Sequence, residues 1–179
     1  MIHMSEKKTN WKLFLKQALV SAVISSSIFG IVMKWGIDKN LEEFKSIRQW
    51  KEHSLRQVVA PVVINLNRSK NAFTRYKANK RYSNVRILIE VNMKVRDILL
   101  ENSQFLPENL YFHAQCLVSH YDTWEKNFNS LPKGISDNIQ VDIGTVFSFD
   151  GHCAEFPKES EAAFQRELKK LRYELYGIE

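Results

Sequence analysis

The sequence predicts a mainly α-helical protein, in which one N-terminal transmembrane helix is followed by a bundle of helices. Two observations predict this fold class. Residues 13–37 carry only Lys16 and Lys34 as charges, and the rest of the chain repeats apolar residues every three or four positions, which is the period of an amphipathic helix. The predicted organisation is a polar leader over residues 1–12, a transmembrane helix over 13–37 and a helical cytoplasmic domain over 38–179.

The predicted transmembrane helix is long enough to cross a bilayer. A helix of this length rises about 37 Å, against a hydrocarbon core of about 30 Å. Lys16 and Lys34 fall near the two interfaces, where lysine side chains reach the headgroups. Trp11 and Trp35 occupy positions typical of interfacial aromatic residues. We therefore expect a single-pass membrane protein.

Two faces of this helix differ in chemistry. Small residues recur at every fourth position and form a groove that a neighbouring helix can approach closely, namely Ala18, Ala22, Ser26 and Gly30. Beside them runs a polar row that would line the lumen of a ring of helices, namely Gln17, Ser21 and Ser25. The pattern leaves three alternatives open: a plain anchor whose serines bond to their own backbone, an oligomerising helix, and a pore-lining helix.

Positive charge is concentrated next to the predicted membrane helix. Of the net charge of +6, residues 1–37 contribute +4, residues 38–82 contribute +7 and residues 83–179 contribute −5. The middle part ends in a basic patch that contains no acidic residue, namely Arg68, Lys70, Arg75, Lys77, Lys80 and Arg81. The patch suits a neighbouring subunit or anionic lipid, and its interleaved aromatic residues also leave a contact with RNA open.

The helical domain is expected to begin with a long helix that is interrupted once. Asn40 caps it, and Pro61 kinks or restarts it because proline lacks a backbone N–H donor. The helix then continues to Lys80. The residues predicted to face inward follow helical spacing, and they are Leu41, Phe44, Ile47, Leu55, Val58, Val59, Val63, Leu66, Phe73 and Tyr76.

Three further helices are predicted from apolar stripes and their end signals. They cover residues 84–102, 107–128 and 157–177, and proline stands near the start of the last two. Residues 143–149 are expected to form a short extended segment. The domain is therefore predicted to be a bundle of four or five helices.

Arg48 and His53 form an R-x4-H motif, the spacing found in RNA-cleaving domains abbreviated HEPN. A histidine can act as general acid or base and an arginine can hold the scissile phosphate once two copies meet in a dimer. This makes a membrane-tethered ribonuclease an alternative function. The other interpretation is an ordinary solvated helix face close to the membrane.

His113, Cys116 and His120 fall on one face of a predicted helix, with His152 and Cys153 further along the chain. This arrangement raises the alternative of a zinc site, but no C-x2-C pair accompanies it. We predict a buried cysteine beside partly exposed histidines, with neither a metal nor another cofactor. Because two cysteines cannot form a disulfide framework, we expect free thiols and a cytoplasmic domain.

Three stretches carry a resemblance to a known family, namely residues 101–107 (ENSQFLP), residues 117–124 (LVSHYDTW) and the ending from FPKES at 156–160 to ELYG at 174–177. With its size and layout, the chain resembles the membrane accessory proteins of type VI-B, RNA-targeting CRISPR systems. The resemblance implies a HEPN-like helical fold and a ring of subunits that forms a pore in the bacterial inner membrane. Arg48 and His53 are the residues that match the motif style of that family.

The function predicted from the resemblance is a homo-oligomeric pore that permeabilises the inner membrane during antiphage defence. The partners it implies are further copies of the chain, membrane lipid, and an RNA-guided CRISPR effector or its RNA. The alternatives are the ribonuclease and a non-catalytic membrane-anchored scaffold. No residue is predicted to be catalytic apart from the two of the R-x4-H motif.

Overall fold

The computed structural model describes residues 33–148 and 156–178, together with Lys16, Gln17 and Phe29. The chain divides into two compact units, residues 1–47 and residues 48–179. In the first unit, residues 33–47 are helical. The large apolar side chains of this helix are exposed, and they are Met33, Trp35, Ile37, Leu41, Phe44 and Ile47.

No helix in the described part of the chain has the length and apolar character that a membrane crossing requires. The predicted transmembrane helix and single-pass inner-membrane location are therefore corrected, and a membrane pore is not supported. The described helix over residues 33–53 is too polar, since charged side chains recur along its whole length, from Lys34 and Asp38 to Lys51 and Glu52.

Most residues predicted to line or pack the span lie outside the described residues. These are the polar residues Ser21 and Ser25 and the small residues Ala18, Ala22, Ser26 and Gly30. Gln17 is described, and it is helical and exposed.

The second unit confirms the predicted helical bundle. Helix α1 (33–53) belongs to this unit from residue 48 onward and passes into the π-helical segment Ser54–Val59. The helices that follow are α2 (Ala60–Asn79), α3 (Tyr82–Glu101), α4 (Tyr111–Asn129), the short α5 (Ile143–Val146) and α6 (Lys158–Tyr176). Two 3₁₀ turns, Ser103–Phe105 and Glu108–Leu110, connect α3 to α4. The described residues form one isolated β-bridge, between Arg81 and Gln140, and no strand.

Several helix ends follow from the sequence, although the predicted start at Asn40 is wrong, since residues 33–53 are helical without a break. Pro61 lies in the first turn of α2, directly after the π-helical segment, so the helix restarts there as predicted. Lys80 ends α2 in the left-handed region at φ 45°, and Gly177 ends α6 at φ 67°. The extended segment predicted from residue 143 is wrong, because the Asp142 carboxylate accepts the Gly144 N–H (3.1 Å) and caps a helical turn.

The core of the second unit consists of two apolar clusters. The first joins α2, α3, α4 and α6 around Val62, Leu117 and Phe164, and the second lies around Val85 and Trp124. The predicted inward faces of α3, α4 and α6 are confirmed. In contrast, Leu41, Phe44, Ile47 and Phe73 are exposed.

Candidate functional site

A groove of about 880 Å³ crosses the second unit, bordered by α2, α4, α5 and the start of α6. Its floor is apolar, with Leu66 from α2, Leu88 from α3 and Ile143 from α5. Aromatic rings extend this surface, namely Phe73, Tyr76, Tyr121, Trp124 and Phe156. Pockets that hold small molecules are concave, largely apolar and of this size, so the groove is the candidate site.

Three of the four lysines that line the groove form one edge, the lysine edge. Lys70, Lys77 and Lys80 all belong to α2 or its end, and Lys158 stands opposite at the start of α6. The acidic lining residues are Asp142 and Glu161. Four lysines against two acids give the lining a formal charge of +2, which attracts anions.

The far wall of the groove is a loop that is tied to the end of α2. Val141 N–H donates to the Lys80 carbonyl, and Tyr82 N–H donates to the Ile139 carbonyl, both at 2.8 Å. The buried Tyr76 hydroxyl donates to the Val141 carbonyl (3.0 Å) and accepts from the Ile143 N–H (2.9 Å). One side chain therefore fixes both sides of residue 142 against α2.

Removing the Tyr76 hydroxyl is expected to destabilise the fold. Tyr76→Phe leaves the Val141 carbonyl and the Ile143 N–H without their partner, and a buried polar group without a partner costs about 1–3 kcal/mol. We expect a loss of roughly that size in the free energy of unfolding, measured with urea. Tyr173→Phe, at an exposed position of α6, is the matched control. Equal stability of the two variants would contradict this role.

Lys80 also holds Asp142 through its side chain. Lys80 Nζ lies 2.5 Å from Asp142 Oδ2, and both side chains are partly exposed. The bond to Lys80, followed by the bond from the Gly144 N–H, lowers the pKa of Asp142, and the same bond to Asp142 raises the pKa of Lys80. The pair stays ionised at neutral pH and fixes the rim of the groove.

Titration of Asp142 tests this pair. Because its pKa is lowered in the folded state, Asp142 stabilises the fold above the pKa of an unfolded aspartate, and this contribution is lost as the pH falls through the folded pKa. Carboxyl ¹³C NMR is expected to give a pKa below that of an ordinary aspartate. Lys80→Gln should raise it, although only in part, since the Gly144 N–H remains. An unchanged pKa in Lys80→Gln would show that the pair does not form.

Polar groups in the floor of the groove bond mainly to one another. Ser69 Oγ donates to Asn92 Oδ1 at 2.7 Å, and Trp124 Nε1 donates to His120 Nε2 at 3.1 Å. The fully buried Tyr121 hydroxyl has no hydrogen-bond partner among the described residues, and burial raises the pKa of Tyr121. The floor therefore presents few polar groups to a ligand.

The structure divides the predicted basic patch between two surfaces. Lys70, Lys77 and Lys80 line the groove, whereas Arg68 and Arg75 line an adjacent pocket of about 450 Å³ that shares Thr74 with the groove. The last member of the patch, Arg81, forms the β-bridge to Gln140. The acidic and aromatic residues that complete the groove, Asp142, Phe156 and Glu161, were missed because they lie far along the chain and match no motif.

Arg48 and His53 lie outside the groove lining, and each is engaged by different neighbours. Arg48 Nε is 3.5 Å from Glu52 Oε1. The His53 ring stacks on Phe105 with centroids 5.0 Å apart, and its Nδ1 is 3.0 Å from Gln57 Nε2. Both side chains are exposed, and the ribonuclease alternative stays a prediction.

The described residues of the suggested zinc site, His113, Cys116 and His120, are engaged elsewhere, whereas His152 and Cys153 lie outside the described residues. His113 Nδ1 lies 3.2 Å from Ser160 Oγ, and His120 accepts from Trp124. Cys116 is disulfide-bonded, so its thiolate cannot ligate a metal, and the expectation of a free thiol at Cys116 is wrong. In the described part of the chain, no group of three His, Cys, Asp or Glu side chains could hold a metal. The cytoplasmic location inferred from free thiols loses that support.

Comparisons of this chain with protein-family models, curated proteins and solved structures give no match. The resemblance to CRISPR accessory proteins therefore stays a prediction from the sequence, as do the partners it implies. The geometry of the groove is the remaining guide to function.

Proposed function

We propose that the helical domain over residues 48–178 is a non-catalytic ligand-binding domain, and that the groove between α2, α4 and α6 holds a small molecule. The observation that carries this proposal is the groove itself, an apolar cavity of about 880 Å³ with a lysine edge. Cavities of roughly 300–1,000 Å³ bury most of the surface of a small ligand. The rigidly tied wall at Tyr76 supports a preformed site.

The chemistry of the lining favours binding over catalysis. His120 accepts a hydrogen bond from Trp124, and Glu161 Oε1 accepts from Gln165 (3.2 Å), with Lys70 3.7 Å away. A general base must reach a substrate proton directly or through one water. His120 and Glu161 instead interact with neighbouring side chains of the protein. This is expected of residues that line a binding site without taking part in a reaction.

Binding of the dye 1-anilinonaphthalene-8-sulfonate tests the proposal, because the dye has an apolar body and one negative charge. We expect saturable binding of one dye per chain, seen as enhanced fluorescence. Thr74 lines the groove, and among the described residues its hydroxyl bonds to the Lys70 carbonyl of its own helix. Thr74→Trp should therefore fill the groove with little loss of stability, and should weaken binding at least tenfold. Because Thr74 also borders the pocket of Arg75, Arg75→Gln should leave dye binding unchanged if the dye occupies the groove.

Ala78→Trp is the matched control, because Ala78 is exposed on α2 and does not line the groove. This variant should bind the dye as the wild-type chain does. Circular dichroism confirms that both variants are folded. Equal dye binding by the two variants, or no saturable binding by the wild-type chain, would overturn the proposal.

A further inference from the structure

We propose that the groove selects a single-chain anionic amphiphile, with its hydrocarbon body on the apolar floor and its carboxylate or phosphate headgroup at the lysine edge. This inference rests on the proposed function and names the class of ligand. Two features of the lining support it. The polar groups of the floor are mostly hydrogen-bonded within the protein, and the lysines differ in whether they form ion pairs.

The polar groups of the floor favour a hydrocarbon body. Ser69 is bonded to Asn92, and the Tyr76 hydroxyl is bonded to the backbone on both sides of residue 142. A nucleobase or a sugar would bring several hydrogen-bonding groups to this floor and leave them without partners, and each would lower the affinity. An alkyl chain needs no such partner and gains from contact with Leu66 and Leu88.

The lysines differ in how far their charge is already matched. Lys80 is paired with Asp142, and Lys70 lies 3.7 Å from Glu161. Lys77 and Lys158 form no ion pair with any described residue, and of these two Lys77 lies beside an aromatic ring, with its Nζ 5.4 Å from the centroid of the Phe73 ring. Since Lys77 combines an unmatched charge with an adjacent apolar ring, it is the natural contact for a headgroup attached to a hydrocarbon chain.

The experiment compares ligands that share either the chain or the charge. Oleate and oleoyl lysophosphatidate carry the same chain with a carboxylate or a phosphate, oleyl alcohol carries the chain without charge, and ATP carries phosphate without the chain. Isothermal titration, at one salt concentration and below micelle formation, should show that at least one of the two anions binds. Oleyl alcohol should bind at least tenfold more weakly, and ATP should not bind.

Lys77→Gln should weaken binding of the anion at least fivefold and bring its affinity closer to that for oleyl alcohol, because Lys158 is the other unpaired lysine of the lining. Lys94→Gln, at an exposed position of α3 away from the groove, should leave the affinity unchanged. The two anions distinguish a fatty acid from a phospholipid source.

The ligand class is overturned if the alcohol binds as tightly as the anions, if ATP binds instead, or if Lys77→Gln has no effect. It is also overturned if no amphiphile binds, as expected for a groove that accepts a helix of a partner protein. The proposed function still stands in that case if the dye binds and Thr74→Trp blocks it, whereas failure of the dye test defeats both proposals.

Discussion

Phe164→Ala is expected to lower the free energy of unfolding of the second unit by about 3–5 kcal/mol, the range for removing a fully buried phenylalanine. Phe164 has an exposed fraction of 0% and belongs to the cluster that joins α6 to α2 and α4. The truncation leaves a cavity that these helices cannot close without moving. Urea denaturation followed by circular dichroism measures the loss.

Phe112→Ala is the matched control for this prediction. Phe112 lies on α4 with an exposed fraction of 59%, so the same chemical change removes little buried surface. We expect its effect to stay within about 0.5 kcal/mol, as is usual for surface positions. Similar losses in the two variants would show that α6 does not pack as described.

Loss of the disulfide at Cys116 is expected to have the second largest effect. Cys116 is buried on α4 and disulfide-bonded, and the chain contains one other cysteine, Cys153, which lies outside the described residues. Removing a disulfide typically costs about 2–4 kcal/mol because the unfolded chain gains freedom. Cys116→Ala should therefore unfold at clearly lower urea concentration than the wild-type chain.

Reducing agent provides the control for Cys116. With dithiothreitol present, the wild-type chain should lose most of its extra stability against urea relative to Cys116→Ala. A thiol assay on the denatured, unreduced wild-type chain should find no reactive thiol, and a non-reducing gel should show a monomer. Two reactive thiols would contradict the disulfide, and a dimeric band would show that the bond joins two chains.

The helices of the second unit could be predicted because their apolar stripes are sustained. Leu88 and Val95 in α3, and Leu117 and Tyr121 in α4, repeat at helical spacing and are buried as expected. The same rule failed for Leu41, because periodicity identifies an apolar face but not whether another element covers it. The turn at residue 143 was misjudged because a local cap at Asp142 outweighed β-branched composition.

The groove was not predicted, and of its lining only the lysines of α2 were recognised, as part of a basic patch. The sequence places Lys70 and Lys77 two helical turns apart, which is enough to put them on one face. Lys158 and Glu161 lie across the groove from them because α6 packs back over the bundle. The position of α6 is set by tertiary packing and not by local sequence. The disulfide was missed because spacing along the chain does not reveal which cysteines meet.

Lys80 meets two requirements that favour different residues, one set by its backbone conformation and one by its side chain. Its backbone adopts a conformation that glycine would occupy without steric conflict, yet glycine could not hold Asp142. A non-glycine residue in this conformation costs about 1–2 kcal/mol. At the end of α2, the ion pair with Asp142 is therefore formed at the cost of backbone strain. Lys80→Ala would keep the backbone strain and lose the ion pair with Asp142, whereas Lys80→Gly would lose the ion pair and relieve the strain. Alanine is therefore expected to destabilise the fold more than glycine does, although alanine is the more conservative substitution.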